Sequence, residues 1–329
     1  MDAVCMGELL AEFVATKDNV SLAESPGFVK APGGAPANVA VGIARLGMSS
    51  AFIGKVGDDP FGAFLRRALV AEGVDTDGLL VDDEARTTAV FVAVRDDGRK
   101  DLCFYRNPGA DMRSRPEELP EELIGGCRCF HYGSIGFIDE PSCSAQRRAI
   151  DIARRSGAMI TYDPNYRPTL WPSTERAARE IRGGYETAHL VKISEEEWEI
   201  ATGTDDLRSG AARVLAAGPE LLVISRGENG AIATNGEYWI EAPAPAVNVV
   251  ETTGAGDAFL AALIVELVPM REELGSLARV GRDTMTAVLA RAVAVGALAC
   301  TAVGAIPALP TAARVDAFLA ERAGGDADG

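Results

Sequence analysis

Only two histidines occur in 329 residues, His131 and His189. They stand apart without a partner motif, so both are expected to be structural rather than ligands. The six cysteines, Cys5, Cys103, Cys127, Cys129, Cys143 and Cys300, are scattered and mostly lie among apolar neighbours. Cys127-Arg128-Cys129 is too tight for zinc spacing, so reduced core cysteines are expected. Positive charge is scarce: 32 Lys and Arg against 48 Asp and Glu leave a net charge of -16. That excludes a nucleic-acid partner, which needs basic patches, and suits a well-solvated surface. It does not exclude an anionic nucleotide, because a few local dipoles and cations can override the mean field. No apolar run suits a membrane. The longest, "AVLARAVAVGALACTAVGAIP" (287–307), is broken by Arg291 and glycines and stopped by Pro307, so it reads as a buried helix. "MDAVCMGELLAEFV" is a strand pattern with no basic n-region or cleavage site, so no signal peptide and a cytoplasmic location are expected.

Familiar phosphate motifs are missing too. Gly254-Ala255-Gly256 is no dinucleotide fingerprint, because Phe259 stands where the third glycine belongs. Gly54-Lys55 is followed by Val56, which rules out a P-loop there. The protein-kinase catalytic loop is absent from the sequence.

What is present is a chain long and apolar enough (47%) to bury a large core, as one large α/β domain or two smaller ones. Apolar runs at 3–5, 50–54, 130–132, 159–162, 190–193 and 221–225 read as strands. Helical patterns at 37–46, 61–72, 143–155, 174–182, 195–202 and 209–216 alternate with them. Such alternation predicts a mostly parallel sheet covered on both faces, with no fixed repeat. "ARTTAVFVAVRDDGRKDLCFYRN" (85–107) has period two around an Asp-Asp-Gly-Arg turn and predicts a hairpin. Runs at 9–14 and 27–30 could add further strands, and the whole antiparallel patch reads as a lid over a site. The tail at 323–329 has no apolar pattern and is expected to be disordered.

Chemistry concentrates in "ETTGAGDAFLAALI" (251–264). Small residues open a helix in which Phe259, Leu260, Leu263, Ile264 and Leu267 recur at helical spacing. Free amides at a helix N-terminus attract an anion, and Asp257 sits in that first turn. An anion hole beside a carboxylate suits a proton transfer while negative charge develops nearby. "APGGAPANVAVGIARLG" (31–47) places Gly33-Gly34, permissive of close approach, before a helix carrying Asn38, an amide suited to hydroxyls.

"GGAPANVAVGIARLG" and "ETTGAGDAF" resemble the two signatures of the ribokinase-like (PfkB) carbohydrate kinases. The resemblance continues through "IGKVGDDPFG", "FYRNPGADM", "FHYGSI", "YDPNYRPTLW", "VKISEEE", "SRGENG" and "GAIPALP", nearly the whole chain, and is greatest to fructokinases. It implies one ribokinase-like domain over 1–329: a three-layer, Rossmann-like, mostly parallel sheet with a small β lid from about 9–33 and 85–108. It implies transfer of the γ-phosphoryl group of ATP to a primary hydroxyl, as in D-fructose to fructose 6-phosphate. Asp257 would be the base, and the Gly254, Ala255 and Gly256 amides the anion hole. Glu12, Gly33, Gly34, Asn38, Arg106 and Arg167 would hold the sugar, and Lys192, Ser225, Gly227 and Gly230 would line the nucleotide site. Glu197 falls where the family helps organise Mg²⁺ through water. Glu251 falls at a K⁺-binding carboxylate. Gly54 to Gly62 and the lid would enclose the sugar, and a homodimer would form through the lid sheets.

Three positions depart from the family pattern. Glu12 and Glu251 replace the usual Asp, which bears on sugar choice and on K⁺ activation, and Val293 replaces an Asn often found near the adenine. The alternatives left open are a 2-keto-3-deoxygluconate kinase, another ketose or nucleoside kinase, and a sugar-binding regulator on a kinase fold.

Overall fold

A computed structural model describes residues 1–17, 19–94 and 100–325. Its strands, in chain order, are β1 (Ala3–Met6), β2 (Leu10–Ala15), β3 (Phe28–Gly33), β4 (Ser50–Gly57), β5 (Leu79–Asp82), β6 (Ala89–Val94) and β7 (Lys100–Tyr105). There follow β8 (Cys129–Gly133), β9 (Met159–Asp163), β10 (Leu190–Ser194), β11 (Leu221–Ser225), β12 (Ala231–Thr234) and β13 (Trp239–Ala242). The helices are α1 (Ala35–Arg45), α2 (Pro60–Ala71), α3 (Glu121–Gly125), α4 (Ser142–Arg155), α5 (Thr174–Gly183) and α6 (Trp198–Thr202). The remainder are α7 (Leu207–Ala216), α8 (Ala255–Leu274), α9 (Arg282–Ala299), α10 (Ala305–Ala308) and α11 (Ala312–Gly325).

Nine strands form one sheet in the order β13-β12-β11-β10-β9-β8-β1-β4-β5. Pairing is parallel from β11 through to β5, and antiparallel only at β12 and β13. The central strands are buried along their whole length, as a sheet sandwiched between two helical layers requires. One apolar cluster joins α1, α8 and α9 to one face, and another joins α4, α5, α6 and α7 to the other. This is the expected three-layer arrangement. The apolar run at 287–307 supplies most of α9, and no described helix is long and apolar enough to cross a membrane.

The expected lid is a second sheet, ordered β3-β2-β6-β7. The Asp-Asp-Gly-Arg turn lies outside the described residues, but β6 and β7 pair antiparallel from Ala89 with Tyr105 to Val94 with Lys100. Asp59 anchors this sheet to the domain. Its carboxylate accepts from the Phe61 and Gly62 amides, both at 2.9 Å, and from the Thr87 amide at 2.8 Å, so it caps α2 and holds the start of β6.

Some elements differ from expectation. Asn235-Gly236 joins β12 to β13 as a hairpin, with Gly236 at φ 93°, a strong local cue that the strand pattern passed over. Cys103 is exposed on β7, whereas Cys5, Cys127 and Cys129 are buried as expected, because β7 is a lid strand with a face outside the core. Helix α11 runs to Gly325, into the expected tail, because Val315, Phe318 and Leu319 pack it on the core; 326–329 lie outside the described residues.

Candidate active site

Parallel strands deliver their C-terminal ends to one edge, and loops there form sites where the strand order reverses. Here β4 and β5 extend to one side of β1, and β8 to β11 to the other, so the switch point lies between β1 and β8. Glu8 follows β1, Ser134 follows β8, Asp163 closes β9, and Glu197 follows β10.

Helix α8 brings Asp257 to this edge. Gly254 is its N-cap in the left-handed conformation, φ 81°, and an added Cβ would come within 3.0 Å of the Ala305 Cα. No side chain caps the helix. The Ala255 amide donates to Thr252 O at 3.3 Å, in the tight turn into the helix. Among the described residues the Gly254, Gly256 and Asp257 amides have no protein acceptor. They carry the positive end of a 20-residue helix.

Asp257 is 8% exposed, and Asn38 Nδ2 on α1 donates to its Oδ2 at 2.8 Å. Removal from water pushes its carboxyl up to about 6, with Asp163 adding repulsion, against the Asn38 hydrogen bond, Lys192 and Arg167, which favour the charge. The Asn38 Oδ1 is buried without a protein partner, an acceptor left for a ligand hydroxyl.

Lys192 on β10 donates to Asp163 Oδ2 at 2.9 Å, both side chains being buried. Burial works against its charge, but Asp163 and Glu197 outweigh it and hold the ammonium above its ordinary value. A Cβ on Gly256 would lie 3.3 Å from Lys192 Nζ, so this cation stands at the open end of α8. A helix terminus, a fixed ammonium and a buried carboxylate thus converge, a combination that holds a phosphoryl group and deprotonates a neighbouring hydroxyl. These features fit a polyphosphate.

The other expected residues fall at varying distances from this centre. Arg167 is half-buried and within electrostatic reach of Asp257 and Glu197, its Nη1 donating to Tyr166 O at 3.2 Å. Both Glu197 oxygens are engaged: Oε1 accepts the Tyr166 amide, and Oε2 accepts the Ser194 hydroxyl at 2.9 Å. Burial raises its carboxyl first, and Asp163 second. Among the described residues no cluster of three His, Cys, Asp or Glu is arranged to hold a metal directly. Arg106 is buried at the foot of the lid, its Nε donating to Asp111 Oδ2 at 2.7 Å, while Thr88 donates to the other Asp111 oxygen. Glu12 lies across Gly33, where a Cβ would be 2.2 Å from its Oε1. Gly34, at φ 118°, approaches the Glu8 carbonyl, which an added Cβ would meet at 2.3 Å. The close approach that the glycine pair permits is therefore to Glu8 and Glu12.

Ser225 ends β11 opposite Ser194, and Gly227 is exposed beyond it. Gly230 is buried, with room for a Cβ denied by Ala242 O at 1.9 Å, so its freedom serves the bend into β12. Val293 is buried within the apolar cluster of α9. Glu251 turns inward: Thr253 donates to its Oε1 and the Gly304 amide to its Oε2 at 2.7 Å.

Sequence reasoning passed over Glu8, Asp111, Ser134 and Asp163. A carboxylate closing or following an apolar strand was the available cue for Glu8 and Asp163. Asp111 and Ser134 carry none, since only folding brings them to this edge. His131 is buried with its Nδ1 3.2 Å from Thr161 O, which agrees with a structural role, but it also lines the space beside Asp257.

Over residues 1–312 the chain matches the family model described as pfkB family carbohydrate kinase. The chain belongs to that family. The kinase is 44% identical over 317 residues to probable fructokinase-4 of Arabidopsis thaliana, covering 96% of each chain. Its fold superposes with TM-score 0.90 on fructokinase with bound ATP from Xylella fastidiosa, at 30% identity over 98% of this chain and 99% of that one. It superposes with TM-score 0.85 on fructokinase from Vibrio cholerae O395 in its fructose, ADP and calcium ion bound form, at 32% identity over 97% and 99%.

Proposed function

We propose that the kinase phosphorylates D-fructose with ATP to give fructose 6-phosphate. The observation that carries the chemistry is the buried Asp257 carboxylate at the uncapped end of α8, beside Lys192. Similarity over nearly the full chain to fructokinases supports the choice of sugar. Asp257 takes the proton of the primary hydroxyl as its oxygen attacks the γ-phosphorus and the bond to the ADP oxygen breaks. The Gly254 and Gly256 amides and Lys192 hold the developing charge. Asn38, Glu12, Arg106 and Arg167 are assigned to the sugar, and Ser225 and Gly227 to the nucleotide. Glu197 would help hold Mg²⁺ through water, and the ion would supply neutralisation of phosphate charge.

The test is ATP consumption with Mg²⁺, with and without K⁺, on fructose, 2-keto-3-deoxygluconate, ribose, tagatose, adenosine and fructose 6-phosphate. Turnover on fructose is expected. Preferred turnover on another acceptor would replace the sugar assignment and make Glu12 the first suspect. Sugar binding without any turnover would replace the kinase with a regulator.

A homodimer through the lid belongs to the same reading. The outer lid strands β3 and β7 expose Val29 (61%) and Tyr105 (66%), and unpaired sheet edges tend to be covered. Cytoplasmic placement also belongs to it: the six unpaired cysteines suit a reducing compartment, and cell fractionation tests it.

A further inference from the structure

Asp257 shares a small, partly enclosed cavity with Glu8, Ser134, His131, Asp163 and Asn165, at the switch point between β1 and β8. Its volume, about 10 Å³ to the centre of a water-sized sphere, admits about one water. Ser134 is fully buried and its Oγ has no protein partner. An unpaired buried hydroxyl is costly, and a water bonded to it removes that cost. Glu8 is buried in the same lining, one oxygen accepting the Ala35 amide at 3.1 Å.

We propose that Glu8 is the second proton acceptor of the site: a water held by Ser134 carries the proton that Asp257 has taken from the hydroxyl on to the Glu8 carboxylate. The inference rests on the reading of Asp257 as base. In this step the Asp257 O–H bond breaks as the water oxygen gains that proton, and a water O–H bond breaks as Glu8 gains another. Asp257 returns to carboxylate, Glu8 becomes a carboxylic acid, and the water is regenerated. Glu8 loses its proton to solvent when product leaves and the pocket refills.

The surroundings suit two proton holders. Burial pushes both carboxyls up, Glu8 to about 7 and Asp257 to about 6, so either can take a proton near neutral pH. Asp111 and Arg106, on the segment after β7, act on Glu8 with opposite signs and are paired with each other. From the remaining walls, Asp163 on β9 and Asp257 on α8 face the cavity as carboxyl groups, and His131 on β8 is kept neutral by burial, pushed down to about 4.

Glu8→Gln keeps the acceptor for the Ala35 amide and removes the basic carboxylate. It should lower kcat about 10-fold or more, with both KM values within about twofold of wild type. The acid limb of log kcat should fall from a two-proton to a one-proton slope, and the solvent deuterium effect should rise. Ser134→Ala should lower kcat with the limb unchanged. Wild-type kcat and acid limb in Glu8→Gln would overturn the proposal. So would a joint loss of kcat, KM and melting temperature, which would make Glu8 only an anchor for α1. Asp257→Ala separates the two readings. If it retains turnover, the base assignment fails; if it is inactive while Glu8→Gln is normal, only the relay fails.

Discussion

The burial that suits Asp257 to its proposed role as base also costs the fold stability. As the proposed base it must be ionised, so kcat should fall as pH drops through about 6, below the earlier loss near 7 that the proposed role of Glu8 adds, seen in a kcat profile. Asp257→Ala should lose about 10³-fold or more in kcat while sugar and nucleotide still bind, by kinetics and calorimetry. The stability sign is opposite. The carboxyl rises from 3.8 to about 6 on folding. Below about pH 4 it is neutral folded and unfolded and costs nothing; above about pH 6 it is charged in both, and the folded state carries the whole penalty. Asp257→Asn should therefore raise the melting temperature at pH ~8 and not at pH ~4. The gain corresponds to at most about 3 kcal/mol at roughly 1.4 kcal/mol per pKa unit. An equal shift at both pH values would show that Asp257 is not strained by its charge.

At the scale of elements, the loop into α1 and the loop into α8 are held by contacts that only particular residues permit. Gly34→Ala would drive a Cβ into the Glu8 carbonyl at positive φ and should cost more than about 3 kcal/mol in denaturant melts. Gly33→Ala brings a Cβ within 2.2–2.5 Å of the Glu12 Oε1, Cδ and Cγ, a side chain rather than backbone, so it should cost less than Gly34→Ala and show itself as a raised KM for sugar. Equal stability losses would disprove the distinction between backbone and side-chain neighbours. Before α8, Glu251 spends both oxygens on Thr253 and Gly304, tying the loop to the start of α10 with protein donors. Turnover should therefore be the same with and without K⁺. Glu251→Asp, one methylene too short to span both donors, should lower turnover in the absence of K⁺. A strong K⁺ activation of the wild-type kinase would show that Glu251 lets go of one donor to bind the cation.

For the whole molecule, the lid is the least self-sufficient part. Its small apolar cluster, Leu10, Val90 and Val92, is far smaller than the clusters on either face of the main sheet. A sheet with so little core of its own needs a partner surface, which the proposed dimer provides. Sedimentation at micromolar protein should give twice the 34.5 kDa chain mass; a monomer would remove the dimer.

The sequence by itself determined the local chemistry: the alternation of strand and helix, the small-residue entry to α8, and Asp257 in its first turn. These are written in short stretches whose period and turn residues act locally. Tertiary structure alone decided which groups meet. Asn38 and Asp257 are 219 residues apart yet hydrogen-bonded, because α1 and α8 share one face of the sheet. Glu8 and Ser134 line one cavity because β1 and β8 are neighbours at the switch point. Glu251 and the glycine pair face inward to protein partners because folding placed a carbonyl, an amide or a carboxylate within reach. Spacing along the chain carries no information about such distances, so the acid–base environment of Asp257 was set by folding rather than by motif.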